Sequence, residues 1–295
     1  MSLFQTTPVV ARSPGLLGRL GVGTVQFGQA YGVSNTHGQV PSAEVKLILD
    51  LAARMGIGLL DTAANYGEAE AVLGVNDLLP FRIVSKTCGV QHGVHAVIAR
   101  VRESVRTLGA VDLLLVHSVQ DLLGPSGTTL WRALQALKAE GLIGGIGISA
   151  YVADDPVALA ERFRPDAMQL PFSLLDQRLL HDGSLQRLKA LGVEIHARSL
   201  FLQGLLFMSR PPEKLGAAGP MLDRIKTEIT AAGSTPLAAA LGFVLSRPEI
   251  DVAVVGITGV QQLNEIVSAA LSPVPDMDWG TFALQDERIL TPSLW

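Results

Sequence analysis

Eight short apolar runs punctuate this chain, and seven of them stop on a polar residue. The runs fall near residues 19–24, 58–61, 82–86, 111–117, 143–149, 166–169, 193–199 and 251–256. Their last residues are Thr24, Asp61, Lys86, His117, Ser149, Gln169, Ser199 and Gly256. Between them, helix-period patterns lie near 42–56, 67–79, 92–109, 128–140, 155–163, 179–191, 235–247 and 260–271, with a further one near 221–231. Strands that alternate with helices predict βα units and a parallel sheet. Eight units in 295 residues is the arithmetic of a (β/α)8 TIM barrel. Nearly continuous apolar strands fit a sheet buried on both faces. All strands of such a barrel finish at one rim, so the polar ends form one ring around one pocket. For any single member, an ordinary polar strand end is the alternative.

The rest of the composition narrows the class. The chain is 48% apolar and 17% charged, enough to bury a sizeable core. A net charge of −4 without a long block of one sign argues against nucleic acid or an anionic membrane surface as a partner. Cys88 is the sole cysteine, which excludes an intrachain disulfide and fits a cytoplasmic, reducing setting. Residues 1–20 carry no leader pattern, and no run reaches the roughly 20 apolar residues of a bilayer span. No linker-like break divides the chain. A single domain over residues 1–295 is expected, with the barrel core at about 19–271 and a tail at 272–295. The tail's Trp279, Phe282 and Trp295 are read as covering the barrel. "RPPEKLGAAGPM" (210–221) reads as a surface loop, and "GPSGTT" (124–129) as a short loop with a helix N-cap.

Asp61, Tyr66, Lys86 and His117 have a shared chemistry if they converge. A phenol's pKa near ~10 is too high for easy proton exchange at neutral pH, and a neighbouring ammonium lowers it. Lys86 can supply that ammonium, Asp61 can hold it charged, and His117 can hydrogen-bond a substrate oxygen. The set makes a proton donor for an oxygen becoming negative, which suits hydride reduction of a carbonyl. No metal cluster offers the alternative polarising group. His92 and His95 lie on a helix start without acidic or cysteine partners and read as solvated. "GVGTVQFG" (21–28) is not a Rossmann fingerprint, because Gln26 stands where its third glycine would be.

The ordered stretches "GVGT", "LDTAANYG", "IVSK", "DLLLVH", "IGGIGIS", "MQLPFSLLD" and "SLFLQGLL" resemble the aldo-keto reductase family over about residues 19–271. The resemblance implies a (β/α)8 barrel with NADP or NAD extended across its rim and a small carbonyl or sugar as substrate. It implies catalytic roles for Asp61, Tyr66, Lys86 and His117, with Tyr66 the general acid. It further implies cofactor contacts at Thr24, Ser149, Gln169, Arg198, Ser199, Leu200, Gly204, Gly256, Thr258, Gln262 and Glu265.

The sequence departs from that family at telling positions. Ala150 follows Ser149 where the family usually has Asn, leaving Ser149 and Gln169 for the nicotinamide amide. Arg198 replaces a ring-stacking Tyr; its guanidinium can also stack, although pairing with an acid inside the rim is the alternative. Gln262 replaces the Arg expected to grip a 2′-phosphate, and Ile266 replaces an Asn that reads adenine, while Glu265 is retained. "GITG" can still offer backbone N–H groups to an anion at a helix start. NAD use, or dual use, is therefore expected beside NADP. In the long first rim loop, Tyr31, Asn35 and His37 are candidate substrate contacts, a mobile polar loop being the alternative. Cys88 reads as a packed thiol. Two rival functions stay open here: a non-catalytic nucleotide-sensing barrel with a protein partner, and an aldolase forming a Schiff base on Lys86.

Overall fold

The computed structural model describes residues 15–295. The leader reading over residues 1–20 lies largely outside them. Eight parallel strands close in sequence order into one barrel. They are β1 (Leu20–Gly23), β2 (Leu59–Asp61), β3 (Arg82–Lys86), β4 (Leu113–Val116), β5 (Ile146–Ser149), β6 (Ala167–Pro171), β7 (Glu194–Arg198) and β8 (Val252–Gly256). β1 pairs with β8 as well as with β2, so no edge strand remains.

Register decides which side chains meet inside. Asp61 lies opposite Val84, Lys86 opposite Leu115, Gln169 opposite Ser149 and His196, and His196 opposite Val252. Neighbouring partners in a sheet share a face, so these residues all point inward. Leu59, Val84, Leu113, Leu115, Ala167, Val252 and Val254 form the apolar middle of the barrel interior. Space there is tight: a Cβ on Gly147 would sit 2.5 Å from Leu115 Cδ2 and 2.4 Å from the Ala167 carbonyl oxygen. Glycine on one strand thus makes room for leucine on the next. The outward-facing positions, such as Val22, Leu60, Ile83, Leu114 and Met168, join the larger core under the helices.

The inward column carries charge at both ends. At the N-terminal end Arg82 forks onto Glu194, at 2.5 and 2.9 Å, and His196 Nε2 donates to the same carboxylate at 2.8 Å. Burial alone would raise the pKa of Glu194, but the hydrogen bonds from His196 and Arg82 win and hold it down at about 2. Arg19 closes this end further, donating to the carbonyls of Leu245, Arg247 and Ile250.

Several helices differ from their expected bounds. The run 67–79 is helical only over Ala69–Gly74. Gly74 packs so close to Thr107 that a Cβ would meet its carbonyl at 2.3 Å, and Asn76 then caps the Val72 carbonyl. The run 179–191 breaks into Arg178–His181 and Ser184–Ala190 at Gly183, whose φ is +78°. Loop 210–221 is not wholly irregular: Glu213–Ala218 forms a 3-10 turn leading into the helix Gly219–Ala231. At 124–129 the helix begins at Gly127, and Ser126 makes no side-chain cap bond. The tail packs as expected. Trp279 lies 5.8 Å from the Phe243 ring, Phe282 is buried, and Gln177 Nε2 donates to the Trp279 carbonyl at 2.7 Å. Among the described residues no single helix is long and apolar enough to cross a membrane.

The depressed Glu194 pKa sets a stability signature. Its folded value lies below its unfolded one, so its contribution is complete above about pH 4.5 and drains away as pH falls toward about 2. Glu194→Gln should remove that part of the acid slope and cost roughly 1.5–3 kcal/mol at pH 7, as for hydrogen bonds to a charged group. Urea melts of both proteins from pH 7 to pH 3 measure it; parallel slopes would show that the carboxylate is not held down.

Candidate active site

At the C-terminal rim one lysine organises the centre. Lys86 is the last residue of β3 and its side chain is 1% exposed. Its ammonium donates to Asp61 Oδ1 at 2.6 Å, to the Thr62 carbonyl at 2.9 Å and to the Tyr66 hydroxyl oxygen at 3.2 Å. Three hydrogens meet three acceptors, so the cation is fully satisfied in spite of its burial. Burial pulls the Lys86 pKa down, but Asp61, with Tyr66 beside it, outweighs this and holds it above the ordinary lysine value. Such an amine carries no free lone pair, which disfavours the Schiff-base reading.

The neighbours complete the geometry. Asp61 is fixed from its other oxygen by Gln169 Nε2 at 2.6 Å, and Thr24 Oγ1 donates to the Asp61 carbonyl at 3.0 Å. The rings of Tyr66 and His117 meet edge to face at 5.8 Å. Burial, then the Lys86 charge, lowers the His117 pKa to about 4, so this imidazole is neutral at pH 7. Behind the loop that carries Tyr66, the buried Glu70 accepts from Ser85 and Arg100 at 2.6 Å each and from Ser104 at 2.9 Å. This network ties the helix Val94–Leu108 to β3 and to the segment leading out of Tyr66.

A cavity of about 250 Å³ opens above this centre. Thr24, Asp61, Tyr66 and Gln169 line its floor, Arg198 comes from the end of β7, and Ser199, Leu200 and Gly204 come from the segment after it. Gly256, Thr258 and Gln262 line it past β8, and Tyr31 and His37 from the first rim loop. Lys86 and His117 touch Tyr66 from its sides but are not among the residues that line the cavity. Two expected cofactor residues fall elsewhere. Ser149 is buried at the end of β5 outside the lining, and Glu265 is exposed, accepting a hydrogen bond from Gln261. Gln169 has given one N–H of its amide to Asp61, leaving the second N–H and the oxygen for another group.

Arg198 lies over the Tyr151 ring at 4.3 Å and donates to the Ala150 carbonyl at 3.2 Å. Among the described residues no carboxylate lies within ion-pair distance of it. The internal ion pair is therefore replaced by stacking on a tyrosine. Tyr151 escaped the sequence reading, although all 3 tyrosines of the chain gather here. Burial, then the nearby Tyr66, raises the Tyr31 phenol.

The first and seventh rim loops are joined over the cavity. Ser34 Oγ donates to the Gln203 carbonyl at 2.9 Å, and Gln203 Nε2 donates to the Tyr31 hydroxyl oxygen at 3.1 Å. The seventh loop is held in left-handed conformations at Ser199, Leu202 and Gln203, with φ of +60°, +46° and +53°. Each costs of order 1–3 kcal/mol and marks a segment whose shape the surroundings dictate. Gly204 follows at φ +87°, where a Cβ would lie 1.9 Å from Ser34 Oγ. Asn35 does not face a ligand with a free amide. It accepts from the amides of His37 and Gly38 and donates to the carbonyls of Tyr31 and Gly38, pinning the loop. Cys88 is half-buried, and burial pushes its thiol up, consistent with a packed bystander.

The expected anion cradle at 256–259 is partly occupied from within. Thr258 N–H donates to Gln262 Oε1 at 2.8 Å, and Val260 N–H donates to Glu44 Oε1 at 2.7 Å. Glu44 was invisible to the sequence reading because it sits 216 residues away, in the first turn of the helix Ser42–Arg54.

A closed parallel barrel with its polar strand ends gathered at one rim defines a TIM-barrel enzyme class. The Aldo/keto reductase family model matches residues 19–284, and the chain belongs to that family. Family and fold together imply an NAD(P)-dependent oxidoreductase of carbonyl compounds, and the family generally uses NADP(H). The crystal structure of PA4992, assigned as an aldo-keto reductase from Pseudomonas aeruginosa, shares the fold. Its TM-score is 0.61 at 24% identity, covering 89% of this chain and 94% of that one. No curated protein gives a significant match.

The His117 environment is open to direct measurement. Nitrogen-15 NMR should show a neutral ring down to about pH 4. Lys86→Met should move its titration upward toward the ordinary histidine value of about 6.5, since the larger of its two lowering charges, Lys86 and Arg198, is gone while burial remains. A midpoint already near 6.5 in the parent protein would contradict the geometry.

Proposed function

We propose that this protein reduces an aldehyde, ketone or sugar carbonyl, with Tyr66 as the proton donor. The observation that carries this reading is the Lys86 ammonium, shared between Asp61 and the Tyr66 hydroxyl inside a buried centre. A bound nicotinamide supplies the hydride. The remaining work belongs to the chain. As the carbonyl oxygen becomes negative, Tyr66 hands it a proton. The phenolate left behind is stabilised by the cation 3.2 Å away. Neutral His117 donates one hydrogen bond to the same oxygen and orients it. Asp61, gripped by Gln169, keeps Lys86 charged and aimed.

The cavity has room for one end of a dinucleotide and not for the whole of it. Its 250 Å³ is below the ~300–1,000 Å³ of ligand pockets and too small for a whole dinucleotide. The nicotinamide end suits the floor beside Tyr66, with Arg198 stacked on Tyr151 as a charged platform. Thr258 and Gln262, past Gly256, would hold the adenosine end. Leu200, Ser199 and Gly204 border the middle. Tyr31 and His37 remain the candidate contacts to substrate. The lone thiol, Cys88, supports a cytoplasmic setting. A non-catalytic sensing role gains no support from a centre whose four groups are all in contact or adjacent.

Tyr66→Phe keeps the ring and deletes the hydroxyl. We expect kcat to fall by at least about a hundredfold across a panel of carbonyls and sugars. Nicotinamide-nucleotide binding, read by fluorescence, should stay within a few fold. Turnover near the parent's would remove Tyr66 from its role.

A further inference from the structure

We infer that Glu44 is a specificity-determining residue that selects NADH over NADPH. The inference rests on the proposed cofactor site and names the group that reads its adenosine end. Three observations carry it. First, Glu44 Oε1 takes the N–H of Val260, the first residue of the helix Val260–Ala270, at 2.7 Å. Its carboxylate also reaches the preceding turn, where a Cβ on Gly259 would lie 3.3 Å from the same oxygen. Second, another amide of the turn, Thr258 N–H, is taken by Gln262 Oε1 at 2.8 Å, with Thr258 Oγ1 at 3.2 Å from that oxygen. Third, no basic side chain stands in the first turn of that helix, where Val260, Gln261, Gln262 and Leu263 follow one another.

A helix start normally welcomes an anion, because its N–H groups and dipole are unsatisfied. Here the protein's own anion has taken that place. A phosphate brought to Thr258 and Gln262 would meet a carboxylate across a partly buried turn, and it would find two of the amides already engaged. Like charges so juxtaposed are strongly disfavoured. A ribose hydroxyl has the opposite relation to Glu44. Oε1 is committed to Val260, while Oε2 accepts no hydrogen bond from the described residues and is open to an O–H donor. A carboxylate on a ribose 2′-hydroxyl is the general device by which dinucleotide sites favour the unphosphorylated cofactor. The sequence position of Gln262 removes an attraction for phosphate; Glu44 adds a repulsion.

Glu44→Gln is the informative variant. Its amide oxygen can still accept from Val260 N–H, so the helix cap survives and only the charge is lost. Dissociation constants for NADH and NADPH are measured by fluorescence titration on the full chain, at low and high salt, with thermal melts as the control for folding. The parent should bind NADH at least about tenfold more tightly than NADPH. Glu44→Gln should shrink that ratio by about tenfold, chiefly by tightening NADPH. Added salt should narrow the ratio in the parent and leave it nearly unchanged in the variant, because screening acts on the charge. A parent that prefers NADPH, or a ratio unmoved by Glu44→Gln in a folded protein, would overturn the inference and leave the proposed reaction standing. Failure of both nucleotides to bind the parent would instead overturn the proposed function, and this inference with it.

Discussion

Every inward side chain of a closed eight-stranded barrel shares one narrow column with those of seven other strands. That constraint governs most of what this molecule does. The middle of the column must be apolar and close-packed, so glycine at 147 faces leucine at 115. Polar groups are expelled to the two ends, where water or a partner can satisfy them. At the N-terminal end they pair off as Arg82, Glu194 and His196. At the C-terminal end Asp61, Lys86 and Gln169 also pair, but Tyr66 and Arg198 are left facing a cavity. One end is therefore closed by its own ion pairs, and the other keeps groups to spare for a second molecule.

This split also explains what could be read from the amino-acid order. Asp61, Lys86 and His117 were legible because a strand end is a local event, and the alternation of two fixes the face. Tyr66 was legible from its distance to Asp61 and from the family resemblance. The residues that escaped are those placed by long-range contacts. Glu44 meets Val260 across 216 positions, and Ser34 meets Gln203 across 169. Nothing local to Glu44 distinguishes it from any acid in the first turn of a helix. Asn35 looked like a ligand contact because it is polar and in a loop; its amide is used up by the loop itself. Helix 67–79 looked longer than it is because its apolar spacing continues past Gly74, whereas the helix stops there and Asn76 turns back to donate to the Val72 carbonyl.

The seventh rim loop illustrates a different cost. Three non-glycine residues in the left-handed region would not be adopted by a free peptide. They are stabilised by neighbours, including the first rim loop through Ser34 and Tyr31. The two loops define each other's shape, so the cavity roof is a property of their contact and of neither segment alone.

The charge balance of the floor has a consequence for capture. Lys86 and Asp61 cancel, and His117 is neutral at pH 7. Arg198 has no carboxylate beside it among the described residues, so the floor of the cavity holds a local positive charge, while Glu44 stands at the other side of the opening. Low-dielectric walls focus such a field toward the opening. An anion within about a Debye length, roughly 8 Å at physiological salt, is drawn to the Arg198 side of the opening and turned away from the Glu44 side, while a neutral molecule finds it by chance. The rate of encounter with a charged ligand is thus tuned by ionic strength, independently of any barrier that the proton-transfer step imposes afterwards.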